Sequence, residues 1–214
     1  MAKAKNKNDD LIKSLGEDLK PVKPLGCPAR RTLPWIAFSA LYAAIIIHYV
    51  GMRPDLVVKL HDGVFMFEII LVGITAILAA GASVYMSVPD MCGQKWLKPT
   101  ALSFIAVFFL WAFTQWFSYG MPMPEPHWDH CINQSAIIAL LPIAMLLYIA
   151  KRGTTTTPVM MSIMNVASVG ALAYIALRLT CMVDDVGHIF FFHVIPFLIA
   201  GTLLGVMARK IYKW

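Results

Sequence analysis

Charged residues are scarce in this sequence and are confined to short runs. Only 14% of the 214 residues are charged, whereas 59% are hydrophobic. This composition is too apolar for a single water-soluble core. The uncharged runs also lack the alternating polarity of membrane β-barrel strands, which are about half as long as a spanning helix. The composition therefore excludes a soluble domain and a barrel, and it favours helices that cross a membrane.

Cysteine is scarce as well, and closely spaced pairs are missing. The four cysteines are Cys27, Cys92, Cys131 and Cys181, so the chain has no Cys-x-x-Cys motif. This absence argues against a membrane thiol oxidoreductase and against a finger-type zinc site. A small transporter, the other alternative, usually shows deep charges or inverted repeats, and neither is visible. We therefore predict that the chain is not an enzyme. A membrane thiol oxidoreductase and a small transporter remain the two alternatives.

Six apolar runs are long enough to cross about 30 Å of hydrocarbon. They cover residues 33–50, 64–88, 100–119, 132–150, 158–177 and 188–207. The sequence predicts an all-α protein with a six-helix transmembrane domain in residues 33–214, preceded by a tail in residues 1–32. No cleavable signal peptide is visible before the first run, so the first helix is expected to be an uncleaved anchor.

Basic residues are distributed very unequally over the two sides of this bundle. Of the 18 Lys and Arg residues, only Arg53, Lys59 and Arg178 fall on the side away from the termini, which leaves 15 on the other side. The positive-inside rule places the basic side, with both termini, in the cytoplasm. The net charge of +6 is thus a signal for topology, and direct binding of nucleic acid need not be invoked.

The outer side carries chemistry that the inner side lacks. All six histidines lie there or in the outer part of a helix. Cys131 lies about 20 residues before the loop that joins the fourth and fifth predicted spans, and Cys181 lies about 24 residues after it. Both cysteines are therefore expected at a similar height above the outer surface. A disulfide or a shared ligand site is therefore geometrically allowed if their Cα atoms come within about 7 Å.

A metal site at this outer surface is one interpretation of the histidines. His127, His130 and Cys131 carry ligand atoms for a soft or borderline ion, with Asp129 or Cys181 completing the set. The plain alternative is that these are ordinary interfacial polar residues, with the cysteines idle or joined in a fixed disulfide. The residues alone leave both interpretations open.

Polar groups inside the predicted spans are few. Glu68 lies near the start of the second span and is expected to snorkel to the interface beside His61 or Asp62. Gly201 and Gly205 form a small-xxx-small face that favours close helix packing or a homodimer. Interhelical hydrogen bonds are expected from the polar side chains of the fifth span: Ser162, Asn165 and Ser168.

The tail carries a short amphipathic pattern. Asp9 and Asp10 are expected to cap a helix that Pro21 ends. The apolar stripe at helical spacing consists of Leu11, Ile12, Leu15 and Leu19. A helix of about ten residues is marginal in water, so it needs a surface to lie on. Both the membrane interface and a groove on a soluble partner would serve.

The string Leu11-Ile-Lys-Ser-Leu-Gly-Glu-Asp-Leu-Lys-Pro-Val-Lys-Pro-Leu25, followed by six spans, resembles the negative regulator of sigma F (NrsF) family. These proteins are multi-pass anti-sigma factors of Gram-negative bacteria. The ending from Cys181 to Trp214 is similar to the last hairpin of that family. The resemblance covers essentially the whole chain.

The resemblance implies an inner-membrane protein whose tail binds an extracytoplasmic-function (ECF) sigma factor and keeps it from RNA polymerase. The implied binding residues are Leu11, Ile12, Leu15, Asp18, Leu19 and Pro21. The paired outer cysteines of the family fall on Cys131 and Cys181, which implies that they sense envelope stress such as a heavy metal or an oxidant. No permanent cofactor is expected, apart from transient binding of a heavy metal or zinc at the periplasmic face.

Overall fold

The computed structural model describes residues 2–17, 26–123 and 129–212, and every regular element within these ranges is helical. Within these ranges one 3₁₀ turn, Met91–Gly93, follows the helix Gly63–Met86. The last helix contains a π-helical stretch, Ile189–Val194, which we call the π segment. The α-helices are α1 Ala2–Glu17, α2 Pro28–Val50, α3 Leu56–Lys59, α4 Gly63–Met86, α5 Leu97–Ser118, α6 Asp129–Lys151, α7 Pro158–Thr180, α8 Val186–His188 and α9 Ile195–Ile211.

Six helices in the described ranges are long and apolar enough to cross a membrane. Five of them are α2, α4, α5, α6 and α7, and the sixth is the continuous run of α8, the π segment and α9, residues Val186–Ile211. The predicted all-α fold with six spans is thereby confirmed. The side that each terminus faces and the division at residues 32 and 33 stay predictions.

The helices extend beyond several of the predicted limits. α2 begins at Pro28 because proline suits the first turn of a helix, where its missing N–H is not needed. α6 begins at Asp129, so Cys131, which lies just outside the predicted span, is helical. α7 continues to Thr180 and includes Arg178. Hydropathy marks the apolar part of a helix, whereas backbone hydrogen bonding continues into the polar interface.

The centre of the bundle is α7, which packs against α2, α4, α6 and α9. Its buried face is rich in Ala, Ser and Gly, and small residues of this kind let helix backbones approach closely. At Gly170 the approach is tight, because a Cβ atom there would lie 2.9 Å from Cγ of Phe197 in α9. A larger residue would push α9 away from α7.

Polar side chains connect α7 with its neighbours, as predicted for Asn165 and Ser168. Asn165 accepts a hydrogen bond from Ser83 in α4 and donates one to the hydroxyl of Tyr212 at 2.6 Å. Ser168 donates to the carbonyl of Ala76 at 2.9 Å. The buried hydroxyl of Ser162 has no partner within the part of the chain that the structure describes.

One local expectation differs from the structure, and one of two alternatives that the sequence left open gains support. α1 begins at Ala2, so Asp9 and Asp10 lie inside the helix and do not cap it; the alanines and lysines before them are good helix formers. Gly201 lies close to Val166 of α7, with 3.6 Å from a Cβ atom built there to Cγ1 of Val166. This face of α9 therefore packs within the chain, which supports the packing interpretation of the motif.

Candidate functional site

Cys131 and Cys181 meet at one end of the bundle. Cys131 lies in the first turn of α6, and Cys181 directly follows α7. Their Sγ atoms are 3.6 Å apart, both residues are buried, and both thiols are free. The similar height expected from the sequence is confirmed, and the two sulfurs are in contact. We call this end, where α6 begins and α7 ends, the cysteine end.

His188 lies against both sulfurs. Its Nε2 is 3.4 Å from Sγ of Cys131 and 3.5 Å from Sγ of Cys181. The start of the last helix sets this position, because the carboxylate of Asp185 accepts a hydrogen bond from the backbone N–H of His188 at 2.8 Å. A capping carboxylate fixes the first turn of a helix. The short segment between Cys181 and His188 therefore holds these two side chains together.

His193 reaches the same place through the π segment. In an α-helix each residue turns by 100°, so residues five apart point about 140° away from each other. The i→i+5 closure of a π-helix brings such residues onto one face. The rings of His188 and His193 accordingly lie with their centroids 5.3 Å apart. His193 is only 1% exposed, and within the described ranges neither of its ring nitrogens has a hydrogen-bond partner.

These four side chains form one compact set, which we call the Cys–His group: Cys131, Cys181, His188 and His193. One ligand atom from each lies within 4.8 Å of the others, and all four residues are buried. Thiol sulfur and imidazole nitrogen are the donors that zinc and softer ions prefer. Two thiols in contact can also be joined in a disulfide by a two-electron oxidant.

The histidines in this group are not the ones that the sequence suggested. His130 precedes Cys131 in α6 but is exposed, and it is not a member of the group. His127 lies outside the described residues. The sequence does hold one signal for His188, its separation of seven residues from Cys181. Nothing comparable marks His193, because its position depends on the π segment.

An ion-pair network lies beside the Cys–His group, and Asp184 is its centre. Asp184 accepts from Arg53 at 2.7 Å and from Lys59 at 2.8 Å. Arg178 joins Asp184 to Glu68, with distances of 2.9 and 2.7 Å. We call this set the ion network, and its members are Arg53, Asp55, Lys59, Glu68, Arg178 and Asp184.

The position of Glu68 corrects an expectation. Glu68 was expected to snorkel toward water, but it is 3% exposed and accepts from Arg178 and from the hydroxyl of Tyr174 at 2.6 Å. An ionised carboxylate is strongly disfavoured in an apolar interior unless it is paired and hydrogen-bonded. Arg178 supplies the pairing because α7 continues three residues beyond the predicted span and includes it.

The charges of the ion network shift one another's pKa values. Burial opposes ionisation of Asp184, but hydrogen bonds from Arg53, Lys59 and Arg178 outweigh it and hold the pKa of that carboxyl well below its usual range. Hydrogen bonds to Asp184 and Asp55 raise the pKa of Arg53. In the Cys–His group, the hydrogen bond from the Cys131 thiol lowers the pKa of Cys181, against the opposing effect of burial.

The predicted partner-binding residues lie in and after α1. Leu11, Ile12 and Leu15 are 57%, 67% and 62% exposed, so no part of the described chain covers this apolar stripe. Asp18, Leu19 and Pro21 lie outside the described residues. Leu11, Ile12 and Leu15 therefore form an apolar surface that the described part of the chain leaves uncovered.

Comparison with known proteins supplies the family. No curated protein and no solved structure matches the chain. The sequence profile described as "Negative regulator of sigma F" (NrsF) matches residues 15–214, which is nearly the whole chain. The match includes the end of α1, all six long helices and the complete Cys–His group. The chain therefore belongs to the family of negative regulators of sigma F and regulates a sigma factor negatively.

Proposed function

We propose that this protein is an inner-membrane anti-sigma factor that holds an ECF sigma factor through its N-terminal segment and releases it on envelope stress. Membership of the family supplies the regulatory role and the sigma-factor partner. The observation that carries the finer proposal is the uncovered stripe of α1, because a sigma factor needs a docking surface outside the bilayer. The role is regulatory and not enzymatic, and contact with DNA is left to the sigma factor.

Charge supports the orientation. The Lys and Arg residues other than Arg53, Lys59 and Arg178 all fall on the side of the termini, which the positive-inside rule assigns to the cytoplasm. α1 then faces the compartment in which sigma factors act. The cysteine end then faces the periplasm, the compartment that oxidants and metals from outside the cell reach before they reach the cytoplasm.

Docking of α1 follows the helix-in-groove mode. Leu11, Ile12 and Leu15 enter an apolar groove of the sigma factor, and Leu19 and Pro21 extend the contact. Asp18 and the neighbouring lysines set the register. A helix of 16 residues is marginal alone in water, so binding also stabilises the helix.

The signal enters at Cys131 and Cys181, whose contact at 3.6 Å supports this assignment. A metal ion can bind the two sulfurs after their protons are lost to water. Alternatively, a two-electron oxidant in the envelope removes two electrons and two protons from the pair, and one S–S bond forms. Either event changes how the start of α6 is held against the end of α7.

Coupling to the tail needs only a small energetic difference between two packings of the bundle. A tenfold loss of sigma affinity corresponds to about 1.4 kcal/mol, which is small beside the energy of a new ligand bond. Asp184 offers a route, because it lies three residues after Cys181 and is paired with Arg53 and Arg178. A change at the sulfurs therefore acts on the segments before α3 and within α7.

Capture of the sigma factor by the purified full-length protein tests the docking step. Leu15→Asp places a charge in the apolar stripe and is expected to abolish capture, whereas Ser14→Asp adds the same charge one residue earlier and should retain it. Both residues are exposed, so neither change should disturb the fold. Unchanged capture by Leu15→Asp would rule out α1 as the docking element.

The same assay, run with cadmium or dichromate, tests the sensing step. The double change of Cys131→Ser and Cys181→Ser should keep the sigma factor bound under both treatments. Cys27→Ser is the matched control, because that thiol is exposed and precedes α2. Release that persists in the double variant would show that the signal enters elsewhere.

A further inference from the structure

We propose that Cys131, Cys181, His188 and His193 together form a closed four-ligand site for one divalent ion of the zinc group, Zn²⁺ or Cd²⁺. The regulatory consequence of this site rests on the proposed function. The site itself rests on the geometry of the four side chains, two of which enter no step of the function proposed above.

The distances fit a tetrahedral ion. Zinc bonds of about 2.0–2.3 Å place neighbouring ligand atoms about 3.3–3.8 Å apart. The two sulfurs are 3.6 Å apart, and Nε2 of His188 is 3.4 and 3.5 Å from them. Three edges of the tetrahedron are therefore already set, and the ligand atom of His193 lies within 4.8 Å of the other three. Only a small movement of His193 closes the site.

His193 supplies an independent observation. Both nitrogens of its ring are buried and have no hydrogen-bond partner in the described part of the chain, although buried polar groups are normally paired. The ring is 1% exposed, so water does not serve as its partner at the surface. A metal bond would engage one of these two nitrogens, and the ligand atom of His193 lies within 4.8 Å of those of Cys131, Cys181 and His188.

The backbone is arranged to deliver this fourth ligand. A regular α-helix would turn His193 about 140° away from His188. The π segment, Ile189–Val194, cancels that rotation, and π-helical turns occur often at functional sites because they redirect side chains in this way. Asp185 holds the first turn from the other end through the N–H of His188. The last helix thus presents two imidazoles to the cysteines of two other helices.

The ligand set selects the kind of ion. Two thiolates neutralise a divalent charge, and sulfur with imidazole nitrogen favours zinc-group ions over Mg²⁺ and Ca²⁺, which need oxygen ligands. The nearby carboxylates are otherwise engaged, Asp184 with arginine and lysine and Asp185 with a backbone N–H. Four protein ligands leave no position for water, so the site suits a fixed or regulatory ion and not hydrolysis.

Binding ties together the start of α6, the end of α7 and the start of the last helix. The ion binds the sulfurs as thiolates, so protons compete with it and its affinity falls as the pH is lowered. Stress by a heavy metal and stress by an oxidant therefore differ at this site. The metal needs all four ligands, whereas a disulfide needs only the two sulfurs.

Metal binding by the purified full-length protein tests the proposal. Co²⁺ serves as the spectroscopic probe and Cd²⁺ as its competitor. We expect one ion per chain, with thiolate charge-transfer bands and the visible absorption of tetrahedral cobalt. His188→Gln and His193→Gln should each weaken Cd²⁺ binding at least about 100-fold. His130→Gln is the control, because that histidine is exposed and outside the group.

Two further measurements keep loss of folding apart from loss of a ligand. His193→Cys restores a ligand atom and should restore tight binding of Cd²⁺. Dichromate should still release the sigma factor from His193→Gln, because oxidation needs only the sulfurs. Wild-type affinity in His193→Gln, or an octahedral cobalt spectrum in the native protein, would overturn the four-ligand site. If dichromate release still depended on the cysteines, the proposed function would survive that result.

Discussion

Two polar clusters lie side by side at the cysteine end, and they satisfy their polar groups in opposite ways. In the ion network, each of the buried charges of Arg53, Glu68 and Arg178 has a partner of opposite sign within 2.7 Å. In the Cys–His group, the two sulfurs and His188 contact one another, while both nitrogens of His193 lack a partner in the described chain. One cluster is complete without a ligand, and the other is not.

This difference separates a part that holds the bundle from a part that is prepared to bind. A paired charge network is hard to disturb, because removal of one member leaves another charge buried alone. An unpaired imidazole is a standing cost to stability, and such costs are retained mainly at functional sites. The short segment from Cys181 to Asp184 contributes one residue to each cluster.

The largest effect is expected from breaking the ion network. Arg178→Met leaves Glu68 buried without its cation and removes one partner of Asp184. We expect a loss of about 3–5 kcal/mol in the free energy of unfolding, measured by denaturant unfolding of the purified protein in detergent. Lys95→Met is the control, because the pair of Lys95 and Asp90 is 3.6 Å long with both side chains 77% exposed. It should change stability by no more than about 0.5 kcal/mol.

A double change sharpens this test. Glu68→Gln combined with Arg178→Met removes the stranded charge, so it should be more stable than Arg178→Met alone. If Arg178→Met cost less than about 1 kcal/mol, the network would be no stronger than a surface ion pair. The contrast with the Cys–His group would then lose its basis.

A change in the Cys–His group is expected to raise the free energy of unfolding, whereas breaking the ion network lowers it. With metal removed by a chelator, His193→Leu replaces an unpaired buried polar ring by an apolar side chain. We expect the free energy of unfolding to rise by about 1–3 kcal/mol, the usual penalty of an unsatisfied buried polar group. Added Cd²⁺ should then stabilise the native protein but not the variant, as followed by thermal unfolding.

His130→Leu is the control for this change, because His130 is exposed. It should leave stability nearly constant and should respond to Cd²⁺ as the native protein does. A loss of stability in metal-free His193→Leu would show that the ring is held by packing alone and is not poised for a ligand.

The sequence predicts the spans and the similar height of Cys131 and Cys181, because hydropathy and helix length determine both. The sequence allows contact between the two cysteines but does not predict it. It does not predict the ion pair between Glu68 and Arg178, which are 110 residues apart. Hydropathy locates a helix along the membrane normal, but the rotation of the helix about its axis depends on packing with its neighbours. Snorkelling was therefore a reasonable expectation for Glu68 and was wrong.

The histidine ligands show the same limit more sharply. His130 is adjacent to Cys131 in sequence, yet it is exposed, since neighbouring residues of a helix point about 100° apart. His193 is predicted to face away from His188 by α-helical periodicity, and only the π segment reverses this. A change of helix type over six residues leaves no hydropathy signal, so this part of the site follows from the structure alone.

The smallest effect on stability is expected from Asp184, which lies three residues after Cys181 and therefore between the two clusters, and this effect depends on pH. Hydrogen bonds from Arg53, Lys59 and Arg178 outweigh desolvation and lower the pKa of Asp184 in the folded protein. A lowered folded pKa means stabilisation that is fully present above the unfolded value of about 3.9 and is lost as the pH falls below it. Asp184 is 34% exposed, so solvent screening limits the contribution to about 1 kcal/mol or less.

Asp184→Asn tests this contribution of Asp184 to stability, because the change removes the charge but keeps the shape of the side chain. The difference in melting temperature between the native protein and this variant should be constant above about pH 5 and should shrink as the pH falls below about 4. Asp90→Asn, which alters an exposed pair, should show no such narrowing. A difference that grew as the pH fell would mean that Asp184 stabilises the segment after Cys181 in its protonated form. It would then be wrong that every charge of the ion network is satisfied by a partner within the network.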